Sequence, residues 1–279
     1  MTKHLFDQAL ALQPAGSDHP NTWTGATSPA YWNMVGPFGG ATAATALQAV
    51  LQHPALLGEP VSLTVNYAAA TAEGAFTITA TPIRTNRSTQ HWVVSLSQPD
   101  AEGTDQVVTT ATVMTALRRE TWHLSDMPMP DVPSPASVPR TQLKGAMEWL
   151  SRYDMRFARG GFPVKWGGAD ELSPDSLTQV WVRDDPVRQL DFASLTAMSD
   201  VFYPRIWLRR PLRVPAGTVT MTVYFHASGA QLAEAGTGYI LGQASAQAFR
   251  HGFFDQSAQL WSESGTLLVT STQLVYYKE

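Results

Sequence analysis

DAEGTDQVVTTATVM (Asp100–Met114) and SESGTLLVTSTQLV (Ser262–Val275) are two versions of one passage. In each, a glycine-bearing turn leads into a threonine-rich run that alternates with period two, the pattern of a half-buried strand. The copies differ by one residue between the glycine and the final run. A repeat this far apart in a chain of 279 residues indicates duplication of one supersecondary unit.

What precedes each copy supports this reading. In the first half, GPFGGATAATALQAVLQ (Gly36–Gln52) predicts a helix, with two glycines at its entry and Leu47, Val50 and Leu51 on one face. Strand-like runs follow at VSLTVNYA (61–68), AFTITATPI (75–83), TQHWVVSLSQ (89–98) and DQVVTTATVMTA (105–116), with NTWTGATSP (21–29) as a possible extra strand. In the second half, EWLSRYDMRF (148–157) and SLTQVWVRD (176–184) read as strands ahead of a helical stretch, SLTAMSDVFYPRIW (194–207). There Leu195, Met198, Phe202 and Ile206 share a face, and Pro204 is expected to bend or end the helix early. Strands at 218–227, 238–249, 257–264 and 266–277 complete the second set.

Between the halves lies SDMPMPDVPSPASVP (Ser125–Pro139), whose five prolines forbid a helix interior or a central strand. The expected units are therefore 1–124 and 140–279, joined by 125–139. A helix followed by hairpin-connected strands is α+β, not the alternation of a parallel sheet. The two copies should pack side by side, with both helices on the concave face of one continuous sheet or two abutting ones.

Composition narrows the chemistry. Charged residues make up 15 % and the net charge is −4, so no basic field for nucleic acid exists. The absence of cysteine removes disulfides, thiolate metal sites and cysteine nucleophiles. No apolar run approaches a membrane span, and the first residues lack the apolar run of a signal peptide, so a cytoplasmic location is expected. The seven histidines show no metal-ligand spacing, and neither a GxSxG elbow nor a phosphate loop is present. GTGYILG (Gly236–Gly242) reads as a turn plus a strand glycine. No metal and no cofactor is expected.

Three positions stand out. Asp200 is an acid within an otherwise apolar helical stretch, where a carboxylate is costly unless partnered. Thr218 opens a strand in which Thr220, Thr222 and Tyr224 are expected on its face and Val219, Met221 and Val223 on the other. Gln273 lies in the last strand, inside the second copy of the repeat.

In order and approximate spacing, these positions resemble the acyl-CoA thioesterase II (TesB-like) family of double hotdog proteins, and the likeness runs over essentially the whole chain. GPFGGATAATAL is similar to that family's glycine-glycine entry to the first helix, MSDVFY to its Ser-Asp helix motif, and TSTQ to its last-strand motif. Thr218 lies eight residues before His226 of the Phe-His pair, as the family's catalytic hydroxyl does. Where some members carry a histidine in the strand after the first helix, this chain reads VSLTVNYAA. The first copy has Thr112 at the expected counterpart of Gln273, so one site per chain is expected.

The resemblance implies hydrolysis of fatty acyl-CoA to free acid and CoA, with Asp200, Thr218 and Gln273 as catalytic residues. Water is the simplest nucleophile in a chain without a thiol or serine elbow. Backbone N–H groups at Gly39 and Gly40 are candidates for the oxyanion. Arg205, Arg209 and Arg210, with Arg213 nearby, are candidates for the CoA phosphates. A homodimer or larger homo-oligomer is expected. A non-catalytic acyl-CoA-binding module and a hotdog hydratase are the competing readings.

Overall fold

A computed structural model describes residues 3–142, 147–163, 166 and 173–279. In chain order the first half holds α1 (Leu5–Ala9), β1 (Gln13–Pro14), β2 (Thr22–Ala26), α2 (Gly39–Leu51), β3 (Glu59–Tyr67), β4 (Ala75–Thr85), β5 (Thr89–Pro99) and β6 (Asp105–Ala116). The second holds β7 (Tyr153–Arg159), β8 (Thr178–Asp184), α3 (Phe192–Met198), α4 (Arg205–Arg209), β9 (Ala216–Phe225), α5 (Gly229–Ala235), β10 (Ile240–Ser245), β11 (Phe249–Arg250), β12 (Phe253–Ser262) and β13 (Leu267–Tyr277). All strands join in one antiparallel sheet in the order β1-β2-β4-β5-β6-β3-β9-β13-β12-β10-β8-β7, with β11 on β12. This is the α+β arrangement of two helix-plus-sheet copies expected from the duplicated passage, and the double hotdog that the resemblance implies.

The two halves meet where β3 pairs with β9, and Thr64 and Thr222 face each other there with hydroxyls 3.0 Å apart. One face of the sheet packs on α2 and α3, which also pack on each other, and the main apolar cluster runs through both halves. The composition of α2 explains its place. Its residues from Gly40 to Leu47 are all buried, so the helix is covered all round instead of showing one apolar stripe. Buried hydroxyls in the two helices return to the turn before: Thr45 donates to the Ala41 carbonyl at 2.9 Å and Ser199 to that of Leu195 at 2.9 Å.

Several elements differ from the sequence reading. The stretch 194–207 is two helices, not one: α3 stops at Met198, and Pro204 becomes the N-cap of α4 because its ring cannot continue a helical ladder. Residues 148–152 form a 3-10 turn before β7. The proline-rich connection is packed, not free. Trp181 and Trp261 donate their indole N–H groups to the carbonyls of Pro133 (2.8 Å) and Met127 (3.3 Å), and Val138 is buried beside them.

Sheet irregularities change which side chains face inward. β9 carries a bulge at Val219, between the pairs Thr220–Leu274 and Thr218–Val275. An extra residue flips the alternation. Met221 and Val223 are therefore buried, Val219 is exposed, and Thr218 faces the interior, on the opposite face from Thr220 and Thr222. The expectation that Thr218 shares a face with those threonines is corrected by this bulge.

Candidate active site

Asp200 lies just past the end of α3, its own N–H closing the last turn on the Ala197 carbonyl at 3.1 Å. The turn delivers its carboxylate to the N-terminus of α2. A Cβ at Gly39 would come within 2.8 Å of Asp200 Oδ2, and one at Gly40 within 2.5 Å of the Ala197 carbonyl. The glycine pair is therefore what lets the two helix ends meet. The backbone N–H of Gly40 donates to the Asp200 carboxylate.

The three sequence-selected residues come together. Gln273 Nε2 donates to Asp200 Oδ1 at 2.8 Å, and Thr218 Oγ1 donates to Gln273 Oε1 at 3.2 Å. Gln273 comes from β13 and is 6 % exposed, while Thr218 comes from β9 through its bulge. Burial raises the Asp200 pKa to about 7, against the opposing effect of the Gln273 and Gly40 hydrogen bonds. Tyr67, at the end of β3, donates its hydroxyl to the Gly39 carbonyl at 2.8 Å. Burial, and then the Asp200 charge, holds its own pKa well above the usual phenol value.

These groups border a cavity of about 520 Å³. Its walls are aromatic, including Phe38, Trp149, Phe202, Tyr203, Trp207 and Phe254. Phe38 and Trp149 stack with ring centroids 4.1 Å apart. Among the described lining residues Asp200 is the one ionised-type carboxyl group, and no histidine, lysine or arginine takes part. Tyr67, Phe38, Trp149 and Gln256 border the space without having been singled out from sequence. Tyr67, Phe38 and Trp149 come from a strand end, a helix entry and a turn, and Gln256 from within β12.

The other expected residues divide. Gly39 borders the cavity, whereas the Gly40 N–H already serves Asp200. Arg205 is fully buried, and its guanidinium donates to the Tyr203 carbonyl (2.6 Å) and Thr178 Oγ1 (2.6 Å). Desolvation lowers its pKa to about 10. It is a core residue, and its assignment to CoA phosphates is corrected. Arg209 donates to the Ser173 carbonyl, Arg210 pairs with Glu279, and Arg213 lies exposed over the Trp166 ring at 4.7 Å. These three follow cavity-lining Trp207 and remain partly or fully accessible.

The counterpart of Gln273 in the first half is also corrected. Counting from the central Thr64–Thr222 pair, Met221 corresponds to Leu63. Met221 pairs with Gln273, and Leu63 pairs with Val113, not Thr112. Likewise, the β9 bulge at Val219 is matched by one in β3 at Val61, so Pro60 stands where Thr218 would. The first half therefore has an apolar pair at these two positions.

Comparison with known proteins agrees with this architecture. The acyl-CoA thioesterase N-terminal domain matches residues 28–116 and the acyl-CoA thioesterase C-terminal domain residues 126–277. A hot dog fold protein of unknown function from Alicyclobacillus acidocaldarius is 46 % identical, with TM-score 0.90, covering 100 % of this chain and 99 % of that one. A tesB protein of Mycobacterium avium subs paratuberculosis shares 18 % identity, with TM-score 0.76 over 99 % and 100 % of the two chains. The acyl-CoA thioesterase II TesB2 of Mycobacterium marinum shares 15 %, with TM-score 0.72 over 98 % of each. A search of curated proteins gives no match. By its two matched domains, the chain belongs to the acyl-CoA thioesterase family.

Proposed function

We propose that this chain hydrolyses fatty acyl-CoA thioesters by direct attack of water, with Asp200 as general base. The observation that carries this reading is a single carboxyl group held near neutral pKa in an aromatic-walled cavity and hydrogen-bonded to Gln273. A base with a pKa near the working pH is both available and effective.

The hydrogen-bond directions support a distinct role for each residue. Gln273 donates to Asp200 and so fixes the carboxylate. Thr218 gives its proton to Gln273 and keeps its lone pairs free to accept. A water between Asp200 and Thr218 can donate one proton to each, which aims its own lone pair at the thioester carbonyl carbon. As the C–O bond forms, Asp200 takes the proton and the carbonyl oxygen becomes an oxyanion. The N–H of Gly39, at the positive end of α2, is the candidate donor for that oxyanion. Collapse breaks the C–S bond, and Asp200 returns its proton to the leaving CoA thiolate.

Arg209 and Arg210, with Arg213, which follow cavity-lining Trp207 in the chain, are the candidates for the CoA phosphates. The reading includes hotdog units at 1–124 and 140–279, a cytoplasmic location and a homodimer or larger assembly. The test is release of free thiol from acyl-CoAs of graded chain length. Turnover of at least one is expected. Binding of acyl-CoA without turnover would favour a non-catalytic acyl-CoA-binding module instead.

A further inference from the structure

Tyr67 ends β3 and reaches the first turn of α2, where its hydroxyl donates to the Gly39 carbonyl at 2.8 Å. That carbonyl belongs to the same peptide unit as the Gly40 N–H, which donates to the Asp200 carboxylate. One peptide therefore receives a hydrogen bond at its oxygen and gives one at its nitrogen. Both partners stand close: a Cβ at Gly39 would lie 3.5 Å from the Tyr67 hydroxyl and 2.8 Å from Asp200 Oδ2. The second half supplies an internal comparison. Counting from the central Thr64–Thr222 pair, Tyr67 corresponds to Phe225. Phe225 also packs at a helix start, edge-on to Phe192 in the first turn of α3, with ring centroids 5.6 Å apart. A bare phenyl ring thus meets the packing at this position. The hydroxyl is found in the half whose helix start faces Asp200.

We infer that Tyr67 is a positioning residue that acts through the Gly39–Gly40 peptide to favour the charged form of Asp200. Its catalytic meaning rests on Asp200 as the general base. A hydrogen bond accepted by a peptide carbonyl polarises the unit and makes its N–H a stronger donor. A stronger donor favours the carboxylate over the carboxylic acid, in the sense opposite to burial. No cation shares this work. Among the described residues lining the cavity, the titratable groups besides Asp200 are the phenols of Tyr67, Tyr203 and Tyr276. The Asp200 charge also reaches the buried phenol of Tyr153 on β7. Desolvation of Asp200 is therefore opposed by the neutral donors Gln273 and Gly40, and Tyr67 strengthens the second of them.

The test is an NMR titration of the full chain labelled with ¹³C at the aspartate carboxyl carbons, without substrate. The Asp200 signal is identified by its loss in Asp200→Asn. Tyr67→Phe keeps the ring that the second half uses and removes the hydroxyl. It is expected to raise the Asp200 midpoint by roughly 0.2 to 0.6 pH units and to move the Gly40 amide proton upfield. Placing 3-fluorotyrosine at position 67 keeps the fold and makes the hydroxyl a stronger donor, so the midpoint should fall. A midpoint unchanged or lowered in Tyr67→Phe, or unchanged or raised by the fluorinated residue, would overturn the inference. So would a lower melting temperature in Tyr67→Phe with no change in midpoint, the mark of a purely structural contact. Turnover of an acyl-CoA is followed in parallel. Absence of hydrolysis defeats the thioesterase reading, while the midpoints separately decide the role of Tyr67.

Discussion

Burial controls the protonation of Asp200, and two predictions follow from its raised pKa of about 7. Acting as a base, it should give a hydrolysis rate that rises with pH and levels off above about 7, checked by kcat/KM against pH. Its effect on stability has the opposite sense. The folded pKa lies above the ordinary value of 3.8, so the folded chain keeps a proton that the unfolded chain has already lost. The stabilising contribution is full below about 3.8 and is lost as pH rises through about 7. Asp200→Asn, which cannot ionise, should therefore unfold at higher denaturant concentration than the wild type at pH 8, by about 2 kcal/mol. Thr218→Val removes one hydrogen bond to Gln273 and the acceptor for water. It should lower kcat by roughly 10-fold to 100-fold, equivalent to about 1–3 kcal/mol, with little change in melting temperature. Asp200 was legible from sequence as an acid among apolar neighbours. Thr218 was legible only through resemblance, because strict alternation puts it on the wrong face and the bulge at Val219 is not written in residue type. The burial of Arg205 was illegible for a related reason: its partners Ser176 and Thr178, just before and at the start of β8, lie far from it in the chain.

At the scale of elements, the contact between the end of α3 and the start of α2 matters most. A Cβ at Gly40 would meet the Ala197 carbonyl at 2.5 Å, and neither backbone can give way freely. Gly40→Ala is expected to destabilise the protein by about 1–3 kcal/mol, measured by urea unfolding, and to displace Asp200 from the N–H that faces it. The glycine pair and the alanine-rich run made α2 readable, and the observed Gly39–Leu51 falls inside the expected stretch. The second helix was less readable. Its apolar spacing continues through Phe202 and Ile206, yet the chain leaves the helix at Ser199 and starts α4 at Arg205. α5 was not anticipated, although Ser228 and Gln231 form a capping box that is a recognised helix-start signal.

Across the whole molecule, the β3–β9 junction turns two copies into one sheet while the copies diverge in chemistry. Val113 and Pro60 stand at the positions of Gln273 and Thr218, so a non-hydrolysable acyl-CoA analogue should bind with one equivalent per chain; two equal sites by calorimetry would contradict this. The duplication was legible because Asp100–Met114 and Ser262–Val275 still share their turn and alternation. The alignment of Thr112 with Gln273 was off by one, since the register is settled by pairing across β3 and β9 and not by similarity along the chain. Light scattering should give a dimer or larger species, and a clean monomer would count against the expected homo-oligomer. The account as a whole turns on Asp200 as the base for water. Its most direct test is the pH dependence of kcat/KM for wild type and Asp200→Asn on the same acyl-CoA. The expected result is a wild-type rate that climbs to a plateau through about pH 7, with a variant slower by about 10² to 10⁴ and without that rise. Wild-type turnover by a folded Asp200→Asn variant would contradict it.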